Sequence, residues 1–128
     1  YLETFMKKNY LNIVLKKNPR IGVCRGFQLI SSIFGSKPFK IKNHVRKIHT
    51  LILKENNLLN KKKISVNSFH NYGVKSLPKS FEIIGRHLDN SIEIARIKKR
   101  RVLCLMFHPE RKNTSQKHVN KILKKFLK

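Results

Sequence analysis

The stretch IGVCRGFQ, at residues 21–28, joins an apolar run to a helical pattern through a cysteine. Arg20 to Val23 is short and largely apolar, which is typical of a buried β-strand. Residues 26–35 then place apolar side chains on one helical face and end in a glycine, so we predict a helix there. The sequence therefore predicts a strand that turns sharply into a helix, with Cys24 at the turn.

The remaining segments indicate a mixed sheet between helices. Two of the strand-like runs are spaced as a β-hairpin, and the run VLCLMF is nearly all apolar, as in a strand covered on both faces. The order of helices and strands is that of an α/β fold, and we predict a single domain over 1–128. The other predicted elements are helices over 1–17 and 118–127 and strands over 50–54, 64–67, 81–86, 92–97 and 102–107.

The chain carries a strong positive charge, with a formal net charge of +24 from 30 basic and 6 acidic residues. Such a charge attracts polyanions, including nucleic acid, anionic lipid and nucleotide-linked substrates. Most of the excess is lysine scattered along the chain, however, and scattered lysines usually form a solvated surface. A basic nucleic-acid-binding protein therefore stays an alternative, but not the one that we favour.

Targeting signals and cysteine usage bear on the compartment. No stretch approaches the ~20 apolar residues of a membrane span, and the first residues are too polar for a signal peptide. The two cysteines do not form a disulfide framework and fit a reducing compartment. We expect a cytoplasmic protein without a membrane partner.

Cys24 is placed as a nucleophile would be in a strand–turn–helix elbow. Gly22 and Gly26 lack a Cβ, so the backbone can bend and the helix can approach the strand closely. The helix N-terminus is expected to lower the pKa of the thiol, and the amide of Arg25 would face an oxyanion. The alternative is a small buried cysteine beside packing glycines. Cys104, inside VLCLMF, is predicted to be an inert core thiol.

A cysteine nucleophile needs a base, and His108 is the best placed of the six histidines. It directly follows the predicted buried strand, at the edge where α/β sheets place their sites. Glu110 lies two residues on, so its carboxylate can accept a hydrogen bond from the imidazole and hold its tautomer. Cys24, His108 and Glu110 thus form a candidate catalytic triad.

Three segments in collinear order carry a family resemblance: CRG at 24–26, VNSFHNYG at 66–73 and FHPE at 107–110. Together they resemble the class I glutamine amidotransferases, and within them the γ-glutamyl hydrolase branch, which is the peptidase C26-like group. The segments HVRKIH at 44–49 and DNSIE at 89–93 also sit where that branch has similar segments. The resemblance implies a flavodoxin-like mixed sheet with helices on both faces.

The resemblance also implies residue roles and a reaction. Cys24 would attack the γ-carbonyl of a γ-glutamyl group to form a thioester, His108 would transfer protons, and Glu110 would orient His108. Glutamate and an amine or ammonia would be the products, and neither a metal nor an organic cofactor is implied. The residues implied to bind substrate are Arg25, Gln28, Ser68, Phe69 and His70.

The chain resembles the C-terminal two thirds of such an enzyme. The first βα units of the family, which include a glycine-rich loop that supplies another oxyanion-hole amide, have no counterpart before Tyr1. Loss of one such donor typically costs about 10²–10³ in rate. A degenerate, inactive fragment therefore stays open as an alternative.

The resemblance leaves substrate and partner open. A nucleotide-linked γ-glutamyl amidate of surface-polysaccharide pathways is one candidate, and Arg25, Lys42, Arg46 and Lys47 would give it a basic rim. The others are a γ-glutamyl amine and glutamine, the latter hydrolysed to supply ammonia to a synthetase partner.

His44 and His49 raise the question of a metal. Their spacing of five, with no cysteine or carboxylate nearby in sequence, differs from the tighter pairs of zinc sites. We therefore predict no metal site.

Overall fold

The computed structural model describes residues 20–42, 44–54, 62–112 and 116–127. The predicted helix over 1–17 lies outside these residues. The described elements, in chain order, are β1 (Arg20–Val23), α1 (Arg25–Ile33), β2 (Phe39–Lys40), β3 (Val45–Leu53), β4 (Lys63–Phe69), β5 (Tyr72–Gly73), β6 (Glu82–His87), β7 (Ile92–Ile97), a 3₁₀ turn (Lys98–Arg100), β8 (Val102–Leu105) and α2 (Gln116–Leu127).

Within the described residues, the main sheet has six strands in the order β1-β8-β7-β6-β3-β4. β1 and β8 are parallel, whereas the other neighbouring pairs are antiparallel. β6 and β7 form the predicted hairpin. β2 and β5 pair separately as a small antiparallel sheet. The prediction of an α/β fold with a mixed sheet is confirmed.

β8 is covered on both faces, as its apolar sequence predicts. Leu103 and Leu105 belong to one hydrophobic cluster with Val119 and Ile122 of α2. Cys104 points the other way and belongs to a second cluster that includes side chains of α1. Full burial of each such leucine contributes about 1.5–3 kcal/mol, so β8 anchors the sheet between the two helices.

The end of α1 explains the glycine that follows it. Gly35 has a φ of 93°, in the left-handed region that glycine adopts without a Cβ penalty. Its N–H donates to Ser32 O at 3.1 Å, and the N–H of Ser36 donates to Ser31 O at 2.8 Å. This pair of bonds is the Schellman arrangement, so the predicted glycine cap is confirmed.

β3 is longer than the sequence predicts. The predicted strand over 50–54 covers only its second half, because Val45 to Ile48 are exposed and show no alternation of apolar and polar side chains. Backbone pairing with β4 holds this first half in the sheet. Among the described residues, neither helix has the length and apolar character that crossing a membrane requires.

Candidate active site

Cys24 occupies a strained turn between β1 and α1. Its φ of 52° and ψ of −99° are unusual for a residue with a side chain, and such strain concentrates at functional sites. The turn is fixed by the Cys24 N–H, which donates to Leu105 O at 2.7 Å, and by Cys24 O, which accepts from the Gln28 N–H at 3.0 Å. The predicted elbow is therefore present, with Cys24 as the N-cap residue of α1.

The elbow depends on a close approach of α1 to β1 at Gly22. A Cβ at this position would lie 2.7 Å from Ile30 Cδ1 and 3.2 Å from the carbonyl carbon of Gly26. Such separations are too short for ordinary van der Waals contact. The expectation that Gly22 lets the helix approach the strand is confirmed.

His108 lies just beyond β8 and is paired with Glu110. Its Nδ1 is 2.9 Å from Glu110 Oε2. Burial alone would raise the pKa of Glu110, but the hydrogen bond from His108 leads to a pKa below its ordinary value. The carboxylate is therefore ionised at neutral pH and accepts the Nδ1 proton of the imidazole.

Cys24 and His108 leave the same edge of the sheet from neighbouring strands. Val23 pairs with Leu105 in the parallel ladder of β1 and β8. Cys24 follows the first strand directly, and His108 follows the second after two residues. The charges of Glu110 and Arg111 both act on the Cys24 thiol. This edge, at the carboxyl ends of parallel strands, is where open α/β sheets place their sites.

The protonation of the Cys24 thiol differs from the expectation for a helix N-terminus. Burial is the largest effect and raises the pKa of Cys24 above its ordinary value. The backbone N–H of Arg25 opposes it, whereas the carboxylates of Glu93 and Glu110 reinforce it. Cys24 is thus a thiol in the resting site, and a base must remove its proton. Burial raises the pKa of Cys104 to about 12, consistent with an inert core thiol.

Two of the residues implied to bind substrate converge on one backbone carbonyl. Gln28 Nε2 donates to Tyr72 O at 3.1 Å, and His70 Nδ1 donates to the same oxygen at 2.8 Å. Because Gln28 lies on the first turn of α1, these bonds tie the elbow to β5 and to His70, which lies just before it. Gln28 and His70 are 42 positions apart in the sequence, so their common contact arises only in the folded chain.

The other three predicted binding residues have distinct surroundings. Phe69 packs edge-on against the His108 ring, with 6.2 Å between centroids, and the Arg111 guanidinium lies 4.5 Å over its face. Ser68 is buried, and its hydroxyl donates to His44 O at 2.5 Å. Arg25 is exposed at the start of α1. Their roles toward substrate stay predictions.

Asn67 is a site residue that the sequence reasoning missed. Its Nδ2 donates to His108 O at 2.9 Å, and its Oδ1 accepts from the His108 N–H at 2.9 Å. The side chain thus pairs with the backbone of His108 as a neighbouring strand would. Asn67 belongs to the VNSFHNYG segment, but its partner His108 is 41 positions away, so no local sequence pattern indicates the contact.

A cluster of buried histidines and carboxylates lies behind this edge. His44, His49, His70 and Glu93 are all buried, and each can present one ligand atom within 4.8 Å of the others. His87 and Asp89 adjoin the cluster through His44. The prediction of no metal site considered only His44 and His49, because the contacts to His70 and Glu93 are not visible in the sequence spacing.

The fold and the elbow place this chain among α/β proteins with a cysteine at a strand–turn–helix connection. The profile of the family "Glutamine amidotransferase class-I" matches residues 4–128. The chain belongs to the class I glutamine amidotransferase family, as the resemblance predicted.

Individual relatives agree with this assignment. A γ-glutamyl-CDP-amidate hydrolase of Campylobacter jejuni is 32% identical over 108 residues, which cover 84% of this chain and 50% of that protein. A glutamine-hydrolyzing GMP synthase component of Methanocaldococcus jannaschii is 30% identical over 125 residues, which cover 94% of this chain and 65% of that protein. The chain thus spans about half to two thirds of the length of these relatives.

Solved structures share the fold at lower identity. A protein of Thermoplasma acidophilum superposes with a TM-score of 0.79 at 23% identity, over 92% of this chain and 60% of that one. A glutamine amidotransferase of Thermotoga maritima superposes with a TM-score of 0.69 at 16% identity, over 96% of this chain and 53% of that one. These likenesses show the fold.

Proposed function

We propose that this chain carries the catalytic residues of an enzyme that hydrolyses a γ-glutamyl amide bond, with Cys24, His108 and Glu110 as the triad. The observation that carries the proposal is the placement of Cys24 in a strained elbow beside the strand that delivers the hydrogen-bonded His108–Glu110 pair. Membership of the class I glutamine amidotransferase family supports the same reaction type.

The first half of the reaction forms a thioester. Glu110 accepts the Nδ1 proton of His108, so Nε2 is the nitrogen that takes the Cys24 proton. The resulting thiolate attacks the γ-carbonyl carbon, and the backbone N–H of Arg25 faces the oxygen that becomes negative. Collapse of the tetrahedral intermediate breaks the C–N bond, and His108 returns the proton to the leaving nitrogen.

The second half reverses these roles with water. His108 removes a proton from water, hydroxide attacks the thioester carbonyl, and Cys24 leaves as the thiolate and is reprotonated. Glutamate is released. Because the raised pKa of Cys24 keeps the thiol protonated at rest, the imidazole base is required for the first step.

A nucleotide-linked γ-glutamyl amidate is the substrate class that we favour. A γ-glutamyl-CDP-amidate hydrolase is among the relatives, at 32% identity. A cavity of about 360 Å³ is lined in part by Lys40, Lys42 and Lys75, whose charges suit a diphosphate. β2, which contributes to this cavity, pairs with β5, and β5 supplies the Tyr72 carbonyl that Gln28 contacts.

Substrate hydrolysis by the protein as expressed from its natural gene tests this proposal. Glutamate release from a γ-glutamyl nucleotide amidate should require Cys24, so Cys24→Ala should lose at least ~10³ of the rate, as expected for a covalent nucleophile. Cys104→Ala is the matched control and should retain most of the activity. Full activity in Cys24→Ala would overturn the triad.

Two lysine variants separate the substrate class from the reaction. Lys42→Gln and Lys75→Gln should raise KM for the nucleotide amidate but not for glutamine, whereas Lys121→Gln on α2 should change neither. If the KM for both substrates is unaffected, the diphosphate assignment is wrong while the triad stands.

A second candidate is a glutaminase that delivers ammonia to a synthetase partner. The relatives that are components of glutamine-hydrolyzing GMP synthases, 30–32% identical to this chain, favour it. This candidate predicts that glutamine is the preferred substrate and that a synthetase partner stimulates hydrolysis. A clear preference for the nucleotide amidate without any second protein would exclude it.

A further inference from the structure

The buried cluster of His44, His49, His70 and Glu93, together with Asp89 at its edge, brings ring nitrogens and carboxylate oxygens close to one another. We propose that it binds a divalent transition-metal ion, of which zinc is the best match, with His44, His49, His70 and Glu93 as the ligands. The site is separate from the triad and goes beyond the proposed function, on which it does not rest.

The hydrogen-bond partners of His44 and His70 fix which ring nitrogen carries a proton. His70 Nδ1 lies 2.8 Å from Tyr72 O, and a carbonyl oxygen can only accept, so Nδ1 carries the proton. His44 Nε2 lies 2.7 Å from Asp89 Oδ2, and the carboxylate likewise accepts. In the neutral histidines, the opposite nitrogens therefore present lone pairs.

These two lone pairs point at each other. His44 Nδ1 and His70 Nε2 are 3.2 Å apart, and both rings are buried. Glu93 Oε2 lies 3.5 Å from the same His70 nitrogen and finds no hydrogen-bond donor among the described residues. Three acceptors thus converge in a buried space, and such an arrangement is unfavourable unless a cation lies between them.

The separations fit a tetrahedral ion. Zinc–nitrogen bonds of about 2.0–2.1 Å imply about 3.3 Å between neighbouring ligand atoms. The cluster has His44 Nδ1 to His70 Nε2 at 3.2 Å and His70 Nε2 to Glu93 Oε2 at 3.5 Å. His49 Nδ1 lies 3.2 Å from the other Glu93 oxygen, Oε1, and donates its proton to it while no ion is bound, so His49 gives up that proton when it becomes the fourth ligand. The four ligand atoms all lie within 4.8 Å of one another.

The surroundings are those of a metal site. Metal-bound histidines usually donate their second N–H to a carboxylate or a backbone carbonyl, which orients the ring and raises its basicity. Asp89 does this for His44, and Tyr72 O does it for His70. The two carboxylates, Glu93 and Asp89, balance the charge of a divalent ion. Imidazole and carboxylate ligands without a thiolate suit zinc.

A single shared proton would stabilise this cluster less than a metal ion would. A proton placed between His44 and His70 joins one pair of atoms, whereas an ion contacts all four ligands at once. The metal therefore accounts for the geometry of the whole cluster.

Zinc binding by the purified chain tests the proposal without any substrate. After dialysis against EDTA, titration with zinc in competition with a chromophoric chelator should show one tightly bound ion per chain, and zinc should raise the melting temperature. Cobalt(II) should give the visible bands of a tetrahedral nitrogen and oxygen site. No binding, or a cobalt spectrum with a thiolate charge-transfer band from cysteine, would overturn the assignment.

Conservative variants locate the ion. His44→Gln should abolish stoichiometric binding, and Asp89→Asn, which removes only the carboxylate behind His44, should weaken zinc affinity by about 10–100-fold. His118→Gln, on α2 and in neither candidate ligand group, is the matched control and should bind as the wild type does. If His44→Gln does not fold, the Asp89→Asn affinity and the wild-type titration still decide. Unchanged affinity in Asp89→Asn would contradict the assignment of His44 as a ligand that Asp89 orients.

Discussion

Asn67 and His108 hold each other through two hydrogen bonds, one in each direction, both 2.9 Å long. Beyond the end of β8, the side-chain amide of Asn67 makes the two hydrogen bonds that the backbone of a neighbouring strand would make. It also donates to Lys112 O at 3.2 Å, so one side chain of β4 fixes both ends of the segment that carries His108 and Glu110.

Asn67→Ala should therefore impair both stability and turnover. The substitution removes the partner of the His108 N–H and one of the two donors to the His108 C=O, which keeps the Arg111 N–H at 3.1 Å. A polar group left without its partner in a buried place costs about 1–3 kcal/mol. We expect a lower free energy of unfolding in urea and a lower kcat with a smaller change in KM, because Asn67 positions the base. Asn67→Asp, which keeps the acceptor oxygen but not the donor, should lie between. A wild-type kcat in Asn67→Ala would show that the His108 backbone is held without it.

Gly22→Ala should destabilise the elbow by sterics. The new Cβ would lie 2.7 Å from Ile30 Cδ1 and 3.2 Å from the Gly26 backbone, so either the helix or the Ile30 side chain must move. Overpacking of this kind typically costs about 1–3 kcal/mol, measurable by urea unfolding.

The matched variants for Gly22 separate sterics from backbone strain. Ile30→Val removes the clashing methyl group, so the double variant should be less destabilised than the sum of the two single variants. Gly35→Ala meets nothing within 4 Å but stands at a φ of 93°, so Ile30→Val should not rescue it. Strict additivity for Gly22→Ala and Ile30→Val would contradict the steric explanation.

The sequence alone predicts those parts of the structure that depend on residues close together in the chain. The strand–cysteine–helix connection, the cap at Gly35 and the doubly buried β8 all follow from short local patterns. The start of β3 was missed because its side chains are exposed and only backbone pairing with β4 defines it. A strand of this kind leaves no apolar alternation to detect.

Contacts between residues that are distant in the chain could not be predicted from the sequence, for a different reason. His44 meets His70 across 26 positions and Asp89 across 45. All three lie just outside strands, so only the assembled sheet brings them together. The direction of the Cys24 pKa shift was also predicted wrongly. The helix N-terminus is a local feature, whereas the burial and the Glu93 and Glu110 charges that outweigh it come from the tertiary structure.

Glu82 should contribute a pH-dependent part of the stability. Burial alone would raise its pKa, but hydrogen bonds from Arg96 and from Lys54, at 3.0 Å, lower it below its ordinary value. A depressed folded-state pKa stabilises the fold above the unfolded value of about 4.3, and this stabilisation is lost as the pH falls through the folded value.

Glu82→Gln should accordingly lower the free energy of unfolding by roughly 0.5–1 kcal/mol at neutral pH, which is the scale of partly exposed ion pairs. Urea unfolding at a series of pH values measures this difference. The gap between wild type and variant should close in acid, once the wild-type carboxyl is protonated. A gap that stays constant down to low pH would show that packing, and not charge, is the contribution of Glu82.

Alkylation of Cys24 by iodoacetamide should report its raised pKa directly, because only the thiolate reacts. The rate, followed by mass spectrometry of the native chain, should rise with a midpoint above the ordinary thiol value of about 8.5. Glu110→Gln should move the midpoint down, since that carboxylate disfavours the thiolate, and Arg111→Gln should move it up, since the guanidinium favours it. Cys104, fully buried and with a pKa of about 12, is the internal control and should stay unmodified. A Cys24 midpoint below the ordinary value would mean that the helix N-terminus outweighs burial after all, and that the thiolate exists before His108 acts.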